Sequence, residues 1–236
     1  MTHPPGPQDW IYTSDFVGKQ RTPKDDNALG HGTAVASKAV GRIFGVSKNT
    51  YLSPVKIKPR SDSLLEAFDL VVHDIALRAA KGAPTPAIIV CTLAPKLTQD
   101  IPKPSDWPNE PWISIGNYIS ELQIYKTRAM VVLSAGNGGR TVKKINTYPA
   151  LLAEMSAPWS SNIIVAGSTT QRGVQSDFSK KRSQNGPMAW AIGEGVLCAG
   201  ILNKQAVVAE TGTSFAAPAV RFLPPNFLMG RNCNRY

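Results

Sequence analysis

Three short segments of this chain carry side chains able to attack, and to stabilise attack on, a carbonyl group. In Gly212-Thr213-Ser214-Phe215-Ala216-Ala217-Pro218 a hydroxyl follows a glycine at what reads as a helix start. Glycine lets the backbone turn sharply and approach a substrate closely. The free N–H groups and dipole of a helix N-terminus favour a developing negative charge beside that hydroxyl. Two alanines keep the first turn slim, and Pro218 falls early in the helix, where its ring costs least. The plainer reading is an N-cap with no chemistry. In Gly30-His31-Gly32-Thr33-Ala34-Val35-Ala36 an imidazole opens an amphipathic helix, between glycines that leave its ring accessible. In Met130-Val131-Val132-Leu133-Ser134-Ala135-Gly136-Asn137-Gly138-Gly139 a buried strand runs into a glycine-rich loop with Asn137 at its tip. Asparagine there is a turn former or an amide donor to an oxyanion.

Taken together, in the order His, Asn, Ser, these segments resemble the subtilisin-like serine peptidases (subtilases, peptidase S8), over about Asp15 to Val220. The resemblance implies an α/β fold, a subtilisin-like parallel sheet with helices on both faces in three layers. It also implies roles: Ser214 as nucleophile, His31 as general base and acid, and Asn137 with the Ser214 backbone N–H as the oxyanion hole. Thr50 to Ile57 resembles the strand after the histidine helix, and Val174 to Ser179 the family's later Phe-Ser turn. Ala87 to Ala94 resembles the strand that pairs with substrate, an extended peptide added at an exposed edge. By that resemblance Thr92, Leu93 and Ala94 form one substrate-binding wall, and Ala135 and Gly136 the opposite one. Ala94 stands where the family usually has glycine, and Pro95 has no N–H to donate.

A serine–histidine pair needs a carboxylate to fix the imidazole tautomer and stabilise the imidazolium. In subtilisin the acid precedes the histidine by roughly thirty residues, which from His31 runs off the start of this sequence. No Asp-Thr-Gly or Asp-Ser-Gly occurs in residues 1–30. Asp26, beside Asp25 and Asn27, belongs to a loop resembling the family's acidic approach to Gly-His-Gly-Thr. Asp15 lies in a segment upstream of that loop, and Asp9 sits among prolines. No acid is carried over by resemblance. After the serine, Ala216 to Leu223 meets Pro224-Pro225, which stop a helix. The reading is therefore a subtilase domain truncated at both ends: residues 1–30 an incomplete N-terminal part, 31–223 the peptidase-like domain, 224–236 an irregular tail.

A chain of 236 residues with 42% apolar content suits one α/β domain with a substantial core. It holds no run of eighteen apolar residues, so no membrane span is expected. The start Met1-Thr2-His3-Pro4-Pro5 has no charged-then-apolar signal region, which leaves the compartment open, and a truncated start would hide a secretion signal. Net charge is +10, and Arg140, Lys143, Lys144, Arg172, Lys180, Lys181 and Arg182 fall between the Asn and Ser segments. Without aromatic interleaving or a nucleic-acid module, these read as a solvated surface and not as a nucleic-acid site. Cys91, Cys198 and Cys233 make an odd count, with no disulfide framework and no zinc spacing. Cys91, inside Ile88-Ile89-Val90-Cys91-Thr92, reads as a core thiol. No cofactor or metal is expected.

The elements that must position the three segments alternate. Helices are expected from His31 to near Gly45, over Asp62 to Ala80 (capped by Asp62 or Ser61, closed by Gly82), and over Ile113 to Ala129. Strands are expected at Tyr51 to Ile57, Ala87 to Thr92, Met130 to Ser134 and Asn162 to Gly167. Shorter ones follow at Ala189 to Ile192, Gly195 to Ala199 and Ala206 to Glu210, and Pro95 to Pro111 reads as a loop. Such alternation gives a parallel sheet with helices on both faces, its sites at helix starts and strand ends. The leading functional reading is a serine endopeptidase acting on peptide or protein through an acyl-enzyme at Ser214, impaired by the missing acid. The alternative is an inactive pseudopeptidase that binds peptide or protein, and a third, weaker reading is a basic binding protein.

Overall fold

The computed structural model describes residues 10–16, 25, 27–48, 50–58, 60–81, 86–94, 112–124, 129–183 and 188–220. Its elements in chain order are β1 (Ile11–Tyr12), α1 (His31–Val40), β2 (Val55–Lys56), α2 (Ser61–Ala80), β3 (Ala87–Cys91), α3 (Ile113–Ile124), β4 (Ala129–Ser134), β5 (Ile163–Thr169), β6 (Met188–Ile192), β7 (Val196–Ala199), β8 (Val207–Glu210) and α4 (Thr213–Val220).

The near-continuous apolar runs of β4 and β5 are what a strand covered on both faces requires. They lie at the centre of a four-stranded sheet, order β3-β4-β5-β6, every pair parallel, with Val131 opposite Ile163 and Leu133 opposite Val165. Side chains alternate between faces. Val131, Leu133, Ile163 and Val165 enter one core with Leu64 and Phe68 of α2 and Ile115 and Ile119 of α3. Val132, Ile164 and Ala166 face the other way, onto Ala217 and Val220 of α4. α1 packs beside α4. The three layers expected from the sequence are therefore present.

Two features depart from one continuous parallel sheet. β1 and β2 form a parallel pair of their own, and among the described residues no strand joins β2 to β3. β7 and β8 form an antiparallel hairpin, Val196 opposite Glu210. That hairpin supports α1: Ala34 packs with Val196, Cys198 and Phe215, and the Ala199 N–H donates to Ser37 Oγ at 2.9 Å.

Several boundaries differ from expectation. α1 ends at Val40, short of Gly45, because Gly41 leaves helical geometry (ψ 142°). The following turn is gathered by the Lys48 ammonium, which donates to the carbonyls of Gly41, Arg42 and Ile43 at 2.9–3.2 Å. The strand expected over 51–57 contracts to Val55–Lys56, just after Pro54, whose nitrogen has no hydrogen to pair. α2 begins at Ser61 with Arg60 as its cap residue, and no side chain caps it; Asp62 instead pairs with Arg60 at 2.7 Å. The basic cluster is only partly solvated. Lys180 is 6% exposed, and Arg182 pairs with buried Glu154 at 3.2 Å. Cys91 is a core thiol as expected, and burial pushes its pKa up to about 11. The closing Gly82, the Pro95 to Pro111 loop, Cys233 and the tail after Val220 lie outside the described residues. Among the described residues no helix is long and apolar enough to cross a membrane, and no group of three His, Cys, Asp or Glu is placed to hold a metal.

Leu133 is fully buried between the central strands and α3. Leu133→Ala should lower the unfolding free energy by about 2–5 kcal/mol, read as an earlier urea midpoint with an unchanged slope.

Candidate active site

Ser214 is the second residue of α4, at the helix end whose N–H groups have no partners within the helix. Fully buried Ala216 and Ala217 let α4 sit close against the sheet. Pro218 lies inside the helix and has no N–H for the carbonyl four residues back, so the Ser214 carbonyl lacks that ladder bond. Ser214 is buried, at 8% residue exposure, and its Oγ donates to the Thr92 carbonyl at 3.4 Å, just past the end of β3. The serine hydroxyl and the predicted substrate edge are thus neighbours, though 122 residues apart in sequence.

Asn137 is exposed at the tip of the loop that leaves β4, and its amide orientation is set by α4. The Thr213 N–H donates to Asn137 Oδ1 at 2.8 Å, and the Thr213 hydroxyl donates to the same oxygen at 2.9 Å. That hydroxyl also accepts the Gly136 N–H at 3.1 Å. Since only an oxygen accepts two such donors, the amide is fixed, and Nδ2 is left to donate elsewhere. A side chain at Gly212 would begin 3.1 Å from Nδ2, so this glycine is what leaves the amide room. Ala135, expected to line a substrate wall, is fully buried, and its N–H donates to the Ala166 carbonyl. Its side chain belongs to the core, whereas Gly136, Asn137 and Gly138 of that loop reach the surface.

His31 opens α1. Gly30 before it adopts φ +65°, and a Cβ there would press into Ile201 at 2.6 Å, so the approach to the histidine requires glycine. The imidazole stands edge-on to Phe215, the residue after Ser214, with ring centres 5.6 Å apart. Burial lowers its pKa, partly offset by the negative charges of Glu210 and Asp25. Among the described residues no hydrogen bond reaches the ring, from Ser214 or from any carboxylate.

The candidate acids are otherwise engaged. Asp25 caps α1 from outside: its Oδ2 accepts the Thr33 N–H and hydroxyl at 2.8 and 2.9 Å. Asp15 accepts the Ser63 hydroxyl and pairs with Arg60 at 3.3 Å and Lys58 at 3.8 Å, partners that hold its carboxyl below the ordinary range. Asp9 and Asp26 lie outside the described residues. The sequence reading missed two residues here. Thr213 passed as the middle of a cap, although a hydroxyl flanked by Gly212 and a small-residue helix is a signal for a buried polar tie. Asp25 was grouped with its neighbours, and its distance from Thr33 gave no short-range pattern to read.

The structure thus brings Ser214, Asn137 and Thr92 together, with His31 against the residue after the serine. The sequence profile of the Subtilase family matches residues 2–221 of the chain. Alkaline protease 1 of Aspergillus clavatus is 29% identical over 208 residues, 86% of this chain and 44% of that protein. The alkaline proteinase of Hapsidospora chrysogena is 30% identical over 200 residues, 81% of this chain and 41% of its own. The chain therefore spans less than half the length of these relatives. Among solved structures, the PatG macrocyclase domain superposes with a TM-score of 0.56 at 23% identity, over 81% of this chain and 50% of that one. The PatG macrocyclase in complex with peptide gives 0.52 at 21%, over 81% and 50%. These structural likenesses establish a shared fold. With the family profile covering nearly the whole chain, and the His, Asn and Ser segments at helix starts and a strand end of that fold, this chain belongs to the subtilase family.

Proposed function

We propose that this chain supplies the core of a serine endopeptidase site, cutting peptide bonds through an acyl-enzyme at Ser214. The observation that carries this reading is the pairing of a serine at a helix N-terminus with an Asn137 amide whose oxygen is already occupied by Thr213. In the proposed reaction Ser214 Oγ attacks the peptide carbonyl while His31 takes its proton. The carbonyl oxygen, now negative, receives hydrogen bonds from Asn137 Nδ2 and the Ser214 N–H, as preorganised donors do where charge develops. His31 then gives the proton to the departing amine, and water repeats the sequence on the ester. An extended peptide pairs along Thr92, Leu93 and Ala94, with Gly136 as the facing wall and Ala135 behind it. The peptide-bound PatG structure is consistent with a peptide ligand on this fold.

A second reading, a pseudopeptidase that holds peptide without turnover, is favoured by one observation: no described carboxylate reaches the His31 ring. Without the acid, the rate falls by several powers of ten on a scale taken from subtilisin, a member of this family.

A fluorophosphonate probe separates the two. The peptidase reading requires covalent labelling of the purified chain that vanishes in Ser214→Ala; a folded chain that takes up no label while still binding peptide establishes the second reading instead. Asn137→Ala should slow labelling by roughly a hundredfold or more, again the subtilisin scale, and, because it leaves the buried Thr213 N–H and hydroxyl without their acceptor, should also lower stability by about 1–3 kcal/mol. The histidine is tested separately by NMR titration. Its midpoint should lie below the ordinary 6.5, and Glu210→Gln should lower it further. Because folding favours the neutral ring, the unfolded chain binds the extra proton first. Stability should therefore fall as pH drops through 6.5 and level off below the folded midpoint. A midpoint at or above 6.5 contradicts this account of the His31 environment.

A further inference from the structure

A buried lysine lies behind the loop that carries Asn137. Lys180 is 6% exposed, and among the described residues no carboxylate lies within ion-pair distance of it. Its ammonium donates to Asn146 Oδ1, and its backbone N–H donates to the Gly136 carbonyl at 3.1 Å. The stem fills the space behind the loop glycines. A Cβ built on Gly136 would lie 3.4 Å from Lys180 Cδ, and one on Gly138 would lie 3.1 Å from Cε and 3.5 Å from Nζ. Neighbouring bonds complete the seam: the Gly139 N–H to the Phe178 carbonyl at 2.7 Å, and the Lys181 N–H to the Lys143 carbonyl at 2.8 Å.

A cation removed from water without a counter-ion is costly, and an apolar side chain would fill the same space without that cost. The amine's distinct contribution is directional: it joins the back of the loop to Asn146 by a charge-assisted hydrogen bond. Thr213 holds Asn137 from the front through the amide oxygen, and the flanking glycines on either side of Asn137 have no side chains with which to anchor themselves. We propose that Lys180 is a positioning residue for the proposed oxyanion donor: its stem and ammonium brace Gly136 and Gly138 so that the Asn137 amide keeps its aim. Burial also lowers the pKa of the amine, in keeping with its enclosed place.

This rests on the peptidase reading for its consequence but not for its test. Lys180→Met keeps most of the stem and removes the ammonium, whereas Asn146→Ala removes the acceptor and leaves the lysine. In both, amide hydrogen exchange at Gly136, Asn137, Gly138 and Gly139 should speed up roughly tenfold, with exchange in β4 and β5 unchanged. Fluorophosphonate labelling of Ser214 should slow by a similar factor. Unchanged loop exchange in Lys180→Met overturns the proposal whether or not the serine labels, and so does faster exchange accompanied by labelling at the parent rate. Failure of the parent chain to label removes the peptidase reading alone, because the exchange comparison still decides the brace. If Lys180→Met does not fold, Asn146→Ala carries the same two measurements.

Discussion

Everything in the candidate site depends on one acceptor, the side-chain oxygen of Asn137. It takes both the N–H and the hydroxyl of Thr213, and so ties the loop leaving β4 to the first turn of α4. The strand end and helix start are 76 residues apart in sequence, and neither could aim its own polar group without the other. An amide held only by solvent would rotate, whereas one whose oxygen is saturated by two donors presents its nitrogen in one direction. The oxygen's hydrogen bonds are thereby made in advance of any substrate, which is the condition for electrostatic preorganisation.

Most of the frame behind this tie was legible in the sequence. The run Met130–Ser134 read as a buried strand, although Ala129, expected to end the helix before it, opens β4 and α3 closes at Ile124, and the glycine–serine boundary before Ala216 read as a helix start of small cross-section. Both follow from local composition, where nothing more distant competes. Boundaries set by long-range partners were not legible. α1 stops where Gly41 leaves helical geometry, in a turn gathered by Lys48 from seven residues on, and although β7 and β8 fall within one residue of expectation, their antiparallel pairing apart from the parallel sheet was not foreseen. The same limit hid the environments of Lys180 and Arg182. As residues in a basic run they read as solvated, and only the folded chain shows one behind the loop that carries Asn137 and the other against Glu154.

The acid was the other limit. Sequence spacing alone found no carboxylate at the right distance before His31, and the fold agrees for every residue it describes. Asp15 belongs to an ion-pair cluster at the start of α2, and Asp25 to the cap of α1. Both carboxylates are saturated by donors that serve local structure. Charge count and acid–base competence are therefore separate questions in this chain, decided by which hydrogen bonds each group already makes.

The two halves of the site are anchored unequally. Asn137 is tied through Thr213 to the helix of Ser214, whose hydroxyl meets Thr92 past the end of β3, whereas, among the described residues, α1, with His31 at its head, rests against α4 and the β7–β8 hairpin. Segments held by fewer buried contacts open in sub-global steps whose free energies lie below that of whole-chain unfolding. The histidine helix is such a segment. Warming this molecule should therefore carry His31 away from Ser214 while the sheet is still intact, so that the temperature at which the two part lies below the temperature at which the protein melts.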